Sequence, residues 1–268
     1  MPSKPRPKHP KTPKAPNAPR TSELYHPIRI VPLHPGKAKA AAPRVAPKLT
    51  YRNGPLLTSV QVFTVFWGSE WNTAPQNALL PKLNQFFDFI LASQLLDQLA
   101  EYSVPNQKIA RGLLIGTLTV ASPSPGKTVD DSAIQSFLQQ QITSGALPAA
   151  TPNSLYFVYL PPGVTVTQGG SASCQVFCGY HDAINNNIFY AVMPYPGCAG
   201  CLGGIAAFDA LTSTSSHELC EAITDPIPGQ GWYDDNNGEI GDICAWQTRT
   251  LGGYTIQLEW SNAANRCI

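Results

Sequence analysis

The chain has 268 residues, 43% of them hydrophobic, which suits one large folded domain or two small ones. Its net charge of +1 conceals a division: residues 1–48 carry eleven of the 18 Lys and Arg against the single acid Glu23, a net +10, so the other 220 residues stand at −9. No stretch approaches the roughly 20 apolar residues of a membrane span, no apolar run of about 7–15 residues follows the basic start, and no specific nucleic-acid motif is present, so neither a membrane-spanning protein nor an ordinary secretory leader is expected.

Residues 1–48 also hold twelve of the 26 prolines. A segment such as MPSKPRPKHPKTPKAPNAPR buries too little apolar surface to offset its ordering entropy, and is expected to be a disordered, partly polyproline-II tail. Its charge suits contact with anionic polymers such as nucleic acid, acidic glycans or phospholipid headgroups; the alternative is a solubilising leader without a specific partner. Folding is expected to begin near Leu49. The apolar run SVQVFTVFWG, with Val60, Val62, Val65 and Phe66, predicts a central strand. From Leu80 to Tyr102, apolar residues from Leu83 to Leu99 recur at three- and four-residue steps, which predicts a helix that Pro105 ends. Leu113 to Val120 reads as a second strand. Asp130 or Asp131 caps a helix running through Ile142, with Gly145 as its stop.

Ser154 to Leu160 predicts a buried strand, closed by Pro161-Pro162-Gly163, and Asn187 to Met193 predicts another. Between them, residues 168–182 read as a glycine- and cysteine-bearing loop ending in Cys178-Gly179-Tyr180-His181. A helix starting around Phe208 or Leu211 carries His217 and ends before Pro226, because proline disfavours helical geometry in the residue that precedes it. Tyr254 to Trp260 makes the last strand. Interspersed helices and strands without an internal repeat give one domain over residues 49–268, of the α+β or α/β class, with a central mixed sheet packed by helices.

Residues 216–244, SHELCEAITDPIPGQGWYDDNNGEIGDIC, carry the chemistry. His217 and Glu221 lie four apart and share one helix face, so they can hold one cation together. Glu218, about a third of a turn away, then reaches a water beside that cation as general base. This is the logic of the His-Glu-x-x-His zinc hydrolases, with a carboxylate replacing the second imidazole, and it describes a zincin-like peptidase. The third ligand is expected from Glu239, Asp242 or His181; outside the tail His181 and His217 are the only histidines. A carboxylate adds hardness, so manganese or calcium join zinc as candidates. The competing reading has Glu218 and Glu221 facing solvent while His217 satisfies a buried hydrogen bond.

Asp225, two turns beyond His217 and about 12 Å along the axis, cannot join a first shell with it and reads as part of a helix-ending turn. Asp234 to Gly238 reads as a hairpin or Asx turn rather than an EF-hand loop, because its glycine is misplaced for one. Trp232, Tyr233 and Trp246 can line a cleft for a glycan or an extended peptide, or can be core aromatics. Cys220 reads as a small buried hydrophobe.

The other cysteines, Cys174, Cys178, Cys198, Cys201, Cys244 and Cys267, are disulfide candidates. Pairing 174–178, 198–201 and 244–267 leaves Cys220 single, although spacing cannot establish connectivity. The alternative is a cysteine-rich zinc site. Disulfides imply an oxidising compartment.

The stretches LTYRNGPLL, SCQVFCGYHDA, SHELCEAITDP with GWY, NGEIGDIC and EWSNAANRC, in that order, resemble the phosphate-induced protein 1 family, called EXORDIUM-like in plants, over about residues 49–268. The resemblance implies a bacterial member of a family whose plant relatives are extracellular and associated with the cell wall, with a peptide or cell-wall polymer as possible substrate or ligand. It implies functional weight on His217, Glu218, Glu221, Glu239, Asp242 and the segment from Cys178 to His181. The chain departs from the plant pattern in its Pro/Lys-rich start and in Cys220, where plant members commonly have alanine.

Overall fold

The computed structural model describes Met1, residues 30–35 and residues 45–268. A six-stranded mixed sheet organises the chain. Its strands are β1 (Ile30–Pro32), β2 (Ser59–Trp67), β3 (Ala110–Val120), β4 (Ser154–Tyr159), β5 (Phe177–Ile184) and β6 (Ile188–Met193). They lie in the order β1-β5-β6-β4-β2-β3. The four strands β6, β4, β2 and β3 run parallel, whereas β5 is antiparallel to β6, and β1 is antiparallel to β5. The helices are α1 (Leu79–Ile90), α2 (Gln94–Gln98), α3 (Asp131–Thr143), α4 (Ala199–Leu202) and α5 (Ala207–Thr224). A hairpin, β7 (Thr248–Leu251) with β8 (Tyr254–Gln257), packs against α5.

Strand alternation divides the core between the two sheet faces. Leu155, Phe157 and Tyr159 of β4 join α1, α2 and α5 in one apolar cluster, while Tyr156, Val158 and Leu160 join α3 in another. Both faces of β4 are buried, hence its unbroken apolar run. Each large apolar side chain so enclosed contributes on the order of 1.5–3 kcal/mol relative to exposure.

Five expectations need correction. The tail does not extend to residue 48 throughout: β1 forms a sheet edge with Val31 buried, and the Lys48 N–H donates to Asp234 Oδ2 at 2.7 Å. The disorder expected for residues 2–29 and 36–44 lies outside the described residues. The helix expected over 80–102 is two helices and a 3-10 turn. Ser93 divides it, its hydroxyl accepting the Leu95 N–H as a new N-cap, while the Leu91 carbonyl leaves the helix ladder to accept the Gly112 N–H.

Residues 168–182 are not a loop, because they include a short strand pair and most of β5. The strand expected over 254–260 stops at Gln257; Trp260–Ser261 pairs instead with Arg266–Cys267. Asp234 does form the Asx turn, its Oδ1 accepting the N–H groups of Asn236 and Asn237.

Three disulfides form, Cys174–Cys198, Cys178–Cys201 and Cys244–Cys267, with Cys220 buried and unpaired. The expected 174–178 and 198–201 pairings are therefore wrong. Cys174 and Cys178 belong to the β5 side and Cys198 and Cys201 to α4, so the bridges tie helix to strand rather than closing loops of three and two residues. Among the described residues, no helix is long and apolar enough to cross a membrane.

Candidate metal centre

Helix α5 starts at Ala207 and its cap residue, Asp225, directly precedes Pro226. Every residue from Ala210 to Thr224 is buried, because β5 and β6 cover one side and β8 another. Gly179 of β5 permits this approach: a Cβ there would stand 2.7 Å from Thr214 Cγ2 and 3.3 Å from Glu218 Oε1. The next residue on that face of β5, His181, thereby reaches the helix.

His181, His217, Glu218, Glu221, Asp225, Glu239 and Glu259 are all fully buried, and Asp242 is half-buried. The carboxylates therefore do not face solvent. Glu221 lies at the centre. Its Oε1 stands 2.9 Å from His217 Nε2 and accepts the Asp242 N–H at 3.0 Å, and its Oε2 stands 3.6 Å from His181 Nδ1. His181 Nδ1 bonds Glu218 Oε2 at 3.1 Å, and its Nε2 bonds the Asp225 carbonyl at the same distance. Glu239 Oε1 is 3.5 Å from His181 Nε2.

Two groups of three can each offer donor atoms lying within 4.8 Å of one another: His217, Glu221 and Asp242, and His181, Glu221 and Glu239. The three candidates for a third ligand thus divide, Asp242 joining His217 while His181 and Glu239 form a second triad around the same Glu221. Glu218 faces β5 and bonds to His181, the direction its third-of-a-turn offset requires.

The electrostatics are those of a buried anionic cluster. Burial lowers the basicity of His181, but the hydrogen bond to Glu218 and the nearby Glu221 carboxylate outweigh it and push the ring up to about 10. Burial raises Glu221, and the His217 charge together with the close approach of both imidazoles overcomes this and holds it at about 2. Glu239 is driven well above the carboxylate range by burial and then by Glu221 and Asp225, and Glu259 is driven up chiefly by burial. Six carboxylates against two imidazolium ions would leave four uncompensated negative charges, or three if Arg249, on the Cys220 side, is counted. A buried surplus of that size requires bound protons or bound cations.

Unpartnered atoms favour the cation. Neither oxygen of Glu239, nor Glu218 Oε1, nor Glu221 Oε2 receives a hydrogen bond from a described residue. His217 Nε2 approaches Glu221 closely without hydrogen-bond geometry. On the His181 side the Asp225 carbonyl takes the Nε2 proton, the usual outer partner of a ligating imidazole, which leaves Nδ1 as the nitrogen facing Glu218 and Glu221. The His217 side is arranged differently. Gln257 Nε2 bonds both His217 Nδ1 (2.7 Å) and the Gly241 carbonyl, and its Oε1 accepts the Trp246 N–H. Gln257 thus donates to Nδ1 and leaves the ring proton on Nε2. The donor set, nitrogen and carboxylate oxygen, fits zinc or manganese.

Sequence reading missed four participants. Gln257 and the close-packed Gly179 and Gly241 carry no local signal. Glu259 does, being a lone acid in an apolar segment. Asp225 also enters by a route other than the His217 face: its carboxylate accepts the N–H groups of Gly229, Gln230 and Gly231 and lies against Glu239.

The expected cleft aromatics sit in two separate places. Trp232 donates its indole N–H to the Tyr102 carbonyl, and Tyr233 is buried beneath the Arg52 guanidinium. Trp246 donates to the Pro32 carbonyl and meets His34 edge-on beside the paired disulfides.

No protein-family model and no curated protein matches the chain. Among solved structures, one named "Structure of a chaperone-substrate complex" aligns at 18% identity and a TM-score of 0.32, covering 61% of this chain and 23% of the other. A likeness at that level establishes no common fold.

Proposed function

We propose that the chain is a metal-dependent hydrolase of zincin-like design, acting on a peptide bond, with zinc as the first candidate cation and manganese or calcium as alternatives. The observation that carries this reading is the convergence of His181, His217, Glu239 and Asp242 on Glu221, within a buried surplus of carboxylates. A divalent cation held there supplies Lewis acidity, lowering the pKa of a water and polarising a carbonyl.

The chain's own part is to position the base and exclude bulk solvent. Glu218 accepts the proton, and the Asp225 carbonyl fixes the His181 ring beside it through Nε2–H. Asp242, the half-buried member, marks the side from which a substrate approaches. The resemblance to the phosphate-induced protein 1 family and the three disulfides support an extracellular or envelope location and a cell-wall setting.

The complete burial of Glu218 favours a second reading, a non-catalytic wall- or glycan-binding module braced by the same residues. Metal analysis of the wild type and His217→Ala, with hydrolysis of a peptide library by wild type and Glu218→Gln, separates these readings. The hydrolase loses turnover in Glu218→Gln while keeping its metal. Equal, negligible metal in wild type and His217→Ala ends the metal reading.

A further inference from the structure

We infer that the centre is dinuclear, with Glu221 bridging two cations that load in order, first beside His181 and then beside His217. This deepens the hydrolase reading and rests on its premise that a cation binds here.

The two oxygens of Glu221 face different histidines: Oε1 faces His217 and Oε2 faces His181. Each histidine is matched with its own acid, Asp242 for His217 and Glu239 for His181, and each set of three can place its donor atoms within 4.8 Å of one another. A mononuclear site has no use for two such sets back to back. A carboxylate whose oxygens serve two sets has the arrangement of a bridging ligand, of the kind that holds paired cations about 3.5–4 Å apart.

Charge points the same way. Ligating imidazoles are neutral. With all six carboxyls ionised, one divalent cation would leave a buried charge of −4 and two would leave −2, or −1 with Arg249 counted, so a second cation lowers the number of protons the cluster must hold. Glu239, fully buried with no donor to either oxygen, belongs to the set that a single cation at His217 would leave unsatisfied.

The order follows from the two imidazoles. The His181 ring is already oriented for ligation, its Nε2–H engaged by the Asp225 carbonyl, so that a cation has only to displace the Nδ1 proton held against Glu218. His217 is not, because Gln257 donates to Nδ1. To free Nε2, the Gln257 amide must turn over, giving up its bonds to the Gly241 carbonyl and the Trp246 N–H. The His217 side therefore binds second and more weakly.

The test is titration of the chelator-stripped full chain with manganese(II), followed by metal counting after gel filtration and by electron paramagnetic resonance. The first equivalent should give the sextet of an isolated ion. The second should bind more weakly and convert it to an exchange-coupled signal. Asp242→Asn, a conservative change at the half-exposed edge whose folding is checked by thermal melting, should weaken only the second step, by about tenfold or more, and delay the coupled signal. His217→Ala should keep the first equivalent and lose the coupling.

One manganese per chain at saturation overturns the dinuclear inference and leaves a mononuclear hydrolase standing. Two ions without exchange coupling overturn the bridging role of Glu221. A first equivalent lost in His217→Ala reverses the proposed order and overturns it. No bound manganese, with zinc and calcium also failing to bind, sinks the inference together with the hydrolase reading beneath it.

Discussion

The Gly241 backbone presses against the ring of His217, so that a Cβ at position 241 would stand 2.8 Å from His217 Nδ1 and 2.9 Å from Glu221 Oε1. The backbone at Gly241 is in the right-handed helical region, so alanine meets no conformational obstacle there, only a steric one. Gly241→Ala should consequently push the imidazole and carboxylate apart. We expect a loss of roughly 1–3 kcal/mol in stability, as for overpacked interiors, and weaker binding at the His217 side. Urea unfolding and metal titration measure the two effects. A variant with unchanged metal affinity would contradict the placement of His217 as a ligand.

Glu239→Gln separates a ligand from a structural brace. Without metal, the variant removes a buried carboxyl group crowded by Glu221 and Asp225, and its melting temperature should equal or exceed the wild type's. With metal, the wild type should gain stability, by about 2.7 kcal/mol when the free cation is a hundredfold above its dissociation constant. The variant should lose most of that gain. Calorimetry with chelator and with saturating metal gives all four values; a variant less stable than wild type by the same margin in both conditions would identify a brace.

The disulfide pattern is open to direct mapping. Cleavage after Phe177, Tyr180 and Tyr190 separates Cys174, Cys178 and the Cys198–Cys201 segment. Under non-reducing conditions the helix-to-strand pairing keeps these three peptides joined. Neighbour pairing would instead release the 198–201 peptide with an internal bridge. Each bridge spans 23 or 24 residues and should contribute on the order of 3 kcal/mol.

Asp130 caps α3, its Oδ1 accepting the Ser132 N–H and hydroxyl while Oδ2 accepts the Thr167 hydroxyl. The Ser132 hydroxyl, the Ser132 N–H and the Thr167 hydroxyl together hold the carboxyl below its ordinary 3.8. A folded-state value below the unfolded one means this contribution is present above pH 3.8 and fades as pH falls through the folded value. Asp130→Ala should cost about 1 kcal/mol near neutrality, with the difference from wild type shrinking below that pH. Asp130→Asn should retain most of the capping and show no such convergence. Urea midpoints measured from neutrality down into acid decide it.

What could be read along the chain was what local physics decides. Helix α5, with His217 and Glu221 on one face and Pro226 as its stop, follows from helical periodicity and proline stereochemistry. The unbroken apolar run of β4 and the Asx turn at Asp234 are equally local. Even the charge asymmetry between residues 1–48 and the remainder needs no coordinates.

The tertiary structure decided whatever depends on partners distant in sequence. His181 sits in a segment that reads as a loop; it becomes a strand because its backbone pairs with Ile30–Pro32 on one side and β6 on the other. Cysteine spacing suggested near neighbours, but the bridges followed the packing of α4 on β5. The two-sided role of Glu221 arises because a strand and a helix, each unremarkable alone, meet where glycine lets their backbones close. Helical spacing is a property of a few consecutive residues, whereas convergence on a point depends on how distant segments pack, and no short stretch of sequence encodes that.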